Sequence, residues 1–172
     1  MKAVYIHIPF CKSICSYCDF CKVFYYPKWS HQYLLKLQEE IEDLYDGETV
    51  KSIYIGGGTP SVLSIKELEF LMDIIRIFKR NENCEFTFEC NLDDIHEEML
   101  HILKQAGVTR LSIGIQSFQK ENLKILGRNH SFMEAKEKMA LIRSCGFMNV
   151  NVDLIYAVPG ENIKMVKDDL KL

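Results

Sequence analysis

Cysteine crowding near the N-terminus constrains this chain more than any other feature of its sequence. Cys11, Cys15, Cys18 and Cys21 fall within the stretch HIPFCKSICSYCDFCK, and the first three have the spacing C-x3-C-x2-C. Three thiolates this close can hold three irons of a 4Fe–4S cluster and leave the fourth iron open to a substrate or cofactor. Ferredoxin clusters, by contrast, have a cysteine on every iron. The spacing therefore favours an iron–sulfur centre with an open iron.

Zinc and disulfides are the two alternatives for these thiols. Structural zinc usually takes two separated ligand pairs, and no second C-x2-C pair follows, although His31 offers a fourth ligand from an expected helix. The cysteines number seven, which is odd, and the first residues, MKAVYIHIPF, do not read as an export signal. A reducing cytoplasm is then the expected compartment, where stable disulfides are disfavoured. We rank iron–sulfur above zinc and zinc above disulfides, and we predict that Cys84, Cys90 and Cys145 are small buried hydrophobes.

Composition fits a globular cytoplasmic protein. The 172 residues suffice for one domain with a core, and hydrophobic residues make up 48% of them. No apolar run is long enough to suggest a membrane span. Lysine and arginine are spread over the expected helices instead of forming a basic stripe, so a nucleic-acid partner is not favoured.

Strand and helix patterns alternate along the chain. The expected strands are Ala3–Ile8, Ser52–Ile55, Glu85–Glu89, Arg110–Ile115 and Asn149–Ile155. The expected helices are Lys28–Tyr45, Ser64 to Lys79, Ile95–Ala106, Lys120–Leu126, Ser131 to Ser144 and Asn162–Leu172, two of them opened by capping boxes. Hairpin signals are lacking, which favours parallel strands joined by right-handed helical crossovers. We predict an α/β fold, a partial parallel (βα) barrel of about five βα units that is open on one side.

Polar and glycine-rich segments follow the expected strands, at the end where parallel βα folds bind ligands. The cysteines follow the first strand, GGGTP the second, Glu89 and Asn91 the third, and GIQSF the fourth, while Asp153 lies in the fifth. The glycine run lacks the lysine pattern of a phosphate-binding loop. We expect its glycines to let the backbone approach a bound ligand closely.

These motifs together resemble those of radical S-adenosylmethionine (SAM) proteins. YIHIPFCKSICSYCDF, YIGGGTPS, RLSIGIQSF, LGRNH and DLIYAVPG are similar to the oxygen-independent coproporphyrinogen III oxidase family and to its HemW haem-chaperone branch. The resemblance extends over essentially the whole chain. It implies that residues 1–172 are the radical SAM core and that the C-terminal domain of the family is absent, either because this is a piece of a longer protein or because the member is shortened.

The resemblance also implies roles for individual residues. Three cysteines would ligate the 4Fe–4S cluster, whose open iron would chelate the amino and carboxylate groups of SAM: Cys11, Cys15 and Cys18. Other residues would hold SAM: Gly57, Gly58 and Thr59 at its methionine end, Glu89 at its amino group, Arg128 at its carboxylate, Gln116 and Asp153 at its ribose, and Tyr17 at its adenine. Tyr5 would stand beside the bound cofactor and is the candidate catalytic residue.

Three functions are compatible with these assignments. In the haem-chaperone branch, the protein would bind haem and pass it to an acceptor. In the oxidase branch, electrons from a donor such as flavodoxin or ferredoxin would drive SAM cleavage, and the resulting 5′-deoxyadenosyl radical would attack a porphyrinogen. The third function is a non-catalytic module with a structural metal. Phe20 stands where the oxidase branch has a further cysteine, which favours haem binding or delivery and leaves Cys21 outside the expected ligand set.

Overall fold

A single five-stranded parallel sheet organises the computed structural model, which describes residues 3–171. The strands, in chain order, are β1 (Ala3–Ile8), β2 (Phe10–Cys11), β3 (Val23–Phe24), β4 (Val50–Gly57), β5 (Arg80–Asn91), β6 (Arg110–Gln116) and β7 (Asn149–Leu154). The sheet order is β1-β4-β5-β6-β7, with every neighbouring pair parallel. The strands thus lie side by side in the order of the chain, and β1 and β7 are the edges of an unclosed sheet, as predicted.

Helices connect the strands. They are α1 (Pro27–Leu44), α2 (Ile65–Ile75), α3 (Glu97–Gln105), α4 (Lys120–Ile125), α5 (Phe132–Ser144) and α6 (Ile163–Asp169). Both predicted capping boxes are present, at Ser64 with Glu67 and at Ser131 with Glu134. Within residues 3–171, none of these helices combines the length and apolarity that crossing a membrane requires.

Several element boundaries differ from the prediction. Helix α2 ends at Ile75, short of the predicted Lys79, because Arg76, Ile77 and Phe78 each bond to the carbonyl three residues back and tighten the chain into β5. Strand β5 is much longer than its predicted apolar segment, since its first residues are mostly exposed and polar. The last helix is shorter than predicted, and Leu172 lies outside the described residues. The short pair β2 and β3 carries too few residues to show a pattern.

The two faces of the sheet differ in chemistry because successive side chains of a strand point to opposite faces. One face carries a register-matched apolar row, with Ile6 opposite Ile55, Ile55 opposite Phe88, and Phe88 opposite Leu111. These residues join one buried cluster with side chains of α1, α2 and α3. The helices thus cover the apolar face.

The opposite face of the sheet carries polar side chains at matched positions of neighbouring strands. Glu89 lies opposite Ser112, Ser112 lies opposite Asn151, and Asp153 lies opposite Gly114. This face and the loops at the carboxyl ends of the strands shape the candidate site.

Candidate functional site

A cavity of about 740 Å³ opens at the carboxyl ends of the strands. Its walls include every residue predicted to bind the cluster or SAM except Tyr5: Cys11, Cys15, Tyr17, Cys18, Gly57, Gly58, Thr59, Glu89, Gln116, Arg128 and Asp153. The structure therefore brings these residues to one cavity from β2 and the segment after it, from the ends of β4, β5, β6 and β7, and from the segment between α4 and α5. That placement follows from parallel pairing, which puts all the strand ends on one side.

Cys15, Cys18 and Cys21 lie on a loop between β2 and β3, residues 12–22, which we call the cysteine loop, and Cys11 is the last residue of β2. The parallel pairing of β2 and β3 holds the two ends of the loop together. Val23 N–H donates to the Pro9 carbonyl at 2.7 Å and Tyr25 N–H donates to the Cys11 carbonyl at 2.8 Å. Within the loop, the Lys22 ammonium donates to the Cys18 carbonyl. The loop is thus fixed mainly at its ends.

The thiols of Cys11, Cys15 and Cys18 line the same cavity but are not arranged as a set of metal ligands in the described residues. Cys11 is buried, and its Sγ lies 3.2 Å from the Thr59 hydroxyl. Burial raises the pKa of the Cys11 thiol, and nearby Cys18 and Cys15 raise it further, while Thr59 lowers it. Across residues 3–171, no group of three or more His, Cys, Asp or Glu side chains is arranged as a metal site.

The donor set nevertheless fits an iron–sulfur cluster. Soft thiol ligands suit such clusters, and the three residues come from one short stretch of the chain facing a cavity. Cys21, by contrast, is exposed and is not part of the cavity wall. Its place outside the ligand set stays a prediction.

The glycine run ends β4, and its glycines serve packing within the protein. A Cβ at Gly58 would lie 2.8 Å from the Pro9 carbonyl carbon, a backbone atom that cannot swing away. Gly58 N–H donates to the Ile8 carbonyl at 2.9 Å and Thr59 N–H to the Phe10 carbonyl at 2.8 Å. Close approach at Gly58 is therefore a contact with the segment that leads into the cysteines, and the approach of the glycine run to a ligand stays a prediction.

Glu89 lies at the floor of the cavity between two protein donors. The Tyr54 hydroxyl donates to Glu89 Oε1 at 2.5 Å, and Gly57 N–H donates to Oε2 at 3.1 Å. Burial and the adjacent carboxylate raise the pKa of Tyr54, so its hydroxyl stays protonated as a donor. Our sequence interpretation missed Tyr54, although its place two residues before the glycine run puts it on the polar face of β4.

Tyr5 lies next to this group but is not part of the cavity wall. Its ring centroid is 6.0 Å from that of Tyr54, and its hydroxyl lies 3.0 Å from His7 Nδ1. The side chain is 59% exposed. Tyr5 thus lies beside the cavity wall, next to the ring of Tyr54, and its role beside a bound cofactor stays a prediction.

Arg128 connects two parts of the wall. Its Nε and Nη2 donate to the Tyr17 hydroxyl at 3.2 and 3.1 Å, and its Nη1 donates to the Asn91 side-chain carbonyl. Burial raises the pKa of Tyr17, an effect that the cation of Arg128 opposes. The guanidinium thus joins the middle of the cysteine loop to the end of β5.

The last two predicted SAM residues lie at the ends of β6 and β7. Gln116 has a left-handed backbone, with φ of 74°, beside a register shift between Gly114 and Gln116. Asp153 accepts hydrogen bonds from Ser112 at 3.3 Å and from Asn151 at 2.7 Å. These contacts fix the carboxylate on the polar face while it still lines the cavity.

Comparison with known proteins agrees with this arrangement. Residues 5–172 match the Radical SAM superfamily. The chain is 41% identical to the heme chaperone HemW of Lactococcus lactis subsp. lactis, over 99% of this chain and 45% of that protein. It is also 41% identical to the heme chaperone HemW of Bacillus subtilis, over 99% of this chain and 46% of that protein. The chain therefore spans less than half the length of these curated relatives.

Solved structures show the same fold. The coproporphyrinogen III oxidase HemN from Escherichia coli, described as a radical SAM enzyme, superposes with a TM-score of 0.90 at 31% identity, over 99% of this chain and 41% of that one. Native anSMEcpe with bound AdoMet superposes with a TM-score of 0.69 at 15% identity, over 99% of this chain and 48% of that one. At that lower identity the likeness concerns the fold alone.

Proposed function

The chain is a member of the radical SAM superfamily, and from this premise we propose that residues 1–172 are the cluster- and SAM-binding core of a haem chaperone. Membership of the family implies a 4Fe–4S cluster and SAM. One observation carries the proposal: a single cavity gathers the three cysteines of the C-x3-C-x2-C motif with the ends of four parallel strands, β4, β5, β6 and β7.

In this proposal the end of β2 and the cysteine loop supply the cluster ligands. Cys11, Cys15 and Cys18 would hold three irons, and Thr59, whose hydroxyl lies 3.2 Å from Cys11 Sγ, would donate to the bound thiolate. When bound, the cluster and SAM supply a one-electron reductive cleavage of the SAM sulfonium. The electrons would come from a partner such as flavodoxin or ferredoxin.

The chain's own side chains would bind and orient SAM. Glu89 would accept from the amino group, because its carboxylate already lies at the cavity floor. Arg128 would bind the carboxylate through its N–H groups that face neither Tyr17 nor Asn91. Asp153 would accept from ribose hydroxyls.

Three further residues would complete the SAM site. Gln116 would bind the ribose beside Asp153, and Tyr17 would lie against the adenine. Gly57, whose N–H donates to Glu89 and whose φ of 116° suits glycine, would hold the loop at the methionine end. Tyr5 would act through Tyr54, its ring neighbour on the cavity wall.

Haem is the cargo we propose, because the relatives of highest identity given above are named heme chaperones. In those relatives more than half of the length lies outside the matched region. That part would help to shape the haem site in the complete protein. Phe20 also supports haem as the cargo, because it lines the cavity at the position where the oxidase branch would have another cysteine.

A second candidate is a porphyrinogen oxidase. The structural likeness to coproporphyrinogen III oxidase, with a TM-score of 0.90 at 31% identity, favours it. In that case the same cavity would present the SAM-derived radical to a porphyrinogen, which would then lose carboxyl groups.

Anaerobic reconstitution with iron and sulfide tests the proposal. We expect a broad visible absorbance that bleaches with dithionite, and its loss when Cys11, Cys15 and Cys18 are all replaced by serine. A matched variant with Cys84 and Cys145 replaced by serine should retain it, because neither residue lines the cavity. Iron binding that is equal in both variants would contradict the cluster assignment.

Two assays on the reconstituted protein separate the candidate functions. Haem titration should show stoichiometric binding without turnover if the protein is a chaperone. Conversion of coproporphyrinogen, with release of carbon dioxide and 5′-deoxyadenosine, would instead establish the oxidase.

A further inference from the structure

A network of polar side chains at the edge of the cavity has no role in the proposed SAM contacts. Lys12, the first residue of the cysteine loop, donates from Nζ to Asp94 Oδ1 at 2.5 Å. Asp94 belongs to the short 3-10 turn Leu92–Asp94 that follows β5. The Ser61 hydroxyl donates to Asp94 Oδ2 at 3.1 Å and accepts from Asn91 N–H at 2.9 Å. This polar network thus joins the cysteine loop, the turn after the glycine run and the end of β5.

The two charged partners differ sharply in exposure. The Asp94 side chain is 2% exposed, whereas the Lys12 side chain is 65% exposed. A pair with both members in water would contribute little. A carboxylate that is almost fully buried, however, requires partners, and Ser61 satisfies only one of its oxygens. The buried carboxylate therefore attracts the ammonium of Lys12 and, with it, the start of the cysteine loop.

The loop has a second attachment to the same segment. Tyr17, in the middle of the loop, accepts two hydrogen bonds from Arg128, and Arg128 also donates to the side chain of Asn91. Asn91 and Asp94 are the two ends of one short stretch after β5. Cys15 lies between the two attached residues, Lys12 and Tyr17.

We propose that Asp94 is a positioning residue that, with Lys12, holds the cysteine loop over the cavity before any cluster is bound. An ordered loop presents Cys15 to the cavity without the entropic cost of arranging it during cluster assembly. We call the contact between Lys12 and Asp94 the tether, and its role in cluster assembly rests on the proposed cluster site. The order of the loop itself is a property of the metal-free chain.

The test is the alkylation rate of Cys15 and Cys18 in the metal-free protein, measured with iodoacetamide and site-resolved mass spectrometry. We expect Lys12→Met and Asp94→Asn each to raise the rate about three- to tenfold. Lys12→Met keeps most of the side-chain volume and removes only the contact with Asp94, so a faster rate reports release of the loop. Lys12→Arg retains the cation and should stay near the wild-type rate.

Controls separate local release from unfolding. Cys84 and Cys145 lie outside the cavity wall and should keep their rates in every variant. Cys90, which is 4% exposed, should stay unreactive unless the fold is lost. Lys36→Met removes a lysine from an exposed pair with Glu39 on α1 and should change none of these rates. If Asp94→Asn unfolds, Lys12→Met remains decisive because Lys12 is largely exposed.

Two results would overturn the tether. One is an unchanged rate at Cys15 in Lys12→Met. The other is a double variant, Lys12→Met with Asp94→Asn, whose effect equals the product of the two single effects, since partners in one contact are not additive. Iron incorporation, scored separately, should slow in the single variants. Absence of iron in the wild-type protein would refute the proposed function while the alkylation result would still judge the tether.

Discussion

The glycine run and the cysteine loop line neighbouring parts of the cavity wall but are built in different ways. The glycine run at the end of β4 is held by backbone hydrogen bonds and by a contact at Gly58 that leaves no space for a side chain. The cysteine loop is held at its ends by β2 and β3, and elsewhere by side chains such as Lys12 and Tyr17. The glycine run is therefore part of the folded sheet, whereas the position of the cysteine loop depends on a few polar contacts.

The largest expected effect comes from closing the space at Gly58. In Gly58→Ala, the new Cβ would meet the Pro9 backbone at 2.8 Å, so the β4 end or the segment before Cys11 must shift. We expect the free energy of unfolding to fall by about 2–4 kcal/mol. Urea unfolding measures it.

Gly127→Ala is the matched control for that substitution. Gly127 has a φ of 68° but no atom within 4 Å of an added Cβ. Its loss should cost about 1 kcal/mol, through backbone conformation alone. Equal losses at both positions would contradict the rigid contact between the glycine run and Pro9.

The next largest effect concerns the anchor at the exit of the cysteine loop. The Tyr25 hydroxyl donates to Glu67 Oε2 at 2.7 Å, Ser64 N–H donates to the same oxygen at 2.9 Å, and Ser30 donates to Oε1. Burial favours the neutral acid, but these hydrogen bonds outweigh it and hold the pKa of Glu67 below its usual value. Glu67→Gln should destabilise the protein by about 1–3 kcal/mol.

The sign of the pH dependence follows from the lowered pKa. A carboxylate whose pKa is depressed in the folded state contributes stability above its unfolded pKa, near 4.5, and loses it as the pH falls through the folded value. Urea unfolding at pH 7 and at pH 3 should therefore show a smaller difference between wild type and Glu67→Gln in acid. A difference that grows in acid would show that Glu67 does not anchor the loop as a carboxylate.

Arg128→Lys sharpens the comparison at the middle of the cysteine loop. Lysine cannot reproduce the forked contact that reaches both Tyr17 and Asn91. We expect the affinity of the reconstituted protein for SAM to fall about tenfold, a loss of roughly 1.4 kcal/mol. Calorimetric titration measures it, and Arg143→Lys, at an exposed arginine that donates to the Met148 carbonyl, is the control. Unchanged affinity in Arg128→Lys would remove Arg128 from the proposed SAM site.

The smallest effect is expected at Tyr54, on the glycine side. Tyr54→Phe removes one of the two donors to Glu89, but Gly57 N–H still donates to the other carboxylate oxygen. Stability should fall by only about 0.5–1.5 kcal/mol, because a backbone-held wall tolerates the loss of one side-chain contact. Thermal unfolding checks this value. A loss as large as that of Gly58→Ala would mean that side chains, and not the backbone, hold this wall.

The architecture could be predicted from local sequence patterns, and the cysteine spacing predicts an iron–sulfur cluster. The periodicity of hydrophobic residues and the two capping boxes predicted five parallel strands and the helices between them. These signals can be seen in the sequence because strands and helices depend on residues that are close together in the chain. The C-x3-C-x2-C spacing indicated an open-iron cluster for the same reason.

Contacts between residues far apart in the chain became visible only in the folded protein. Arg128 contacts Tyr17 across 111 positions, and Lys12 contacts Asp94 across 82. The fold also brings Tyr54, which the sequence interpretation missed, into the cavity wall beside Tyr5. Such contacts depend on strand register and on how loops pack over the sheet ends, and a shift of one residue would turn each side chain to the opposite face. Local sequence carries little information about that register, so the partners of Lys12 and Arg128 became visible only in the folded chain.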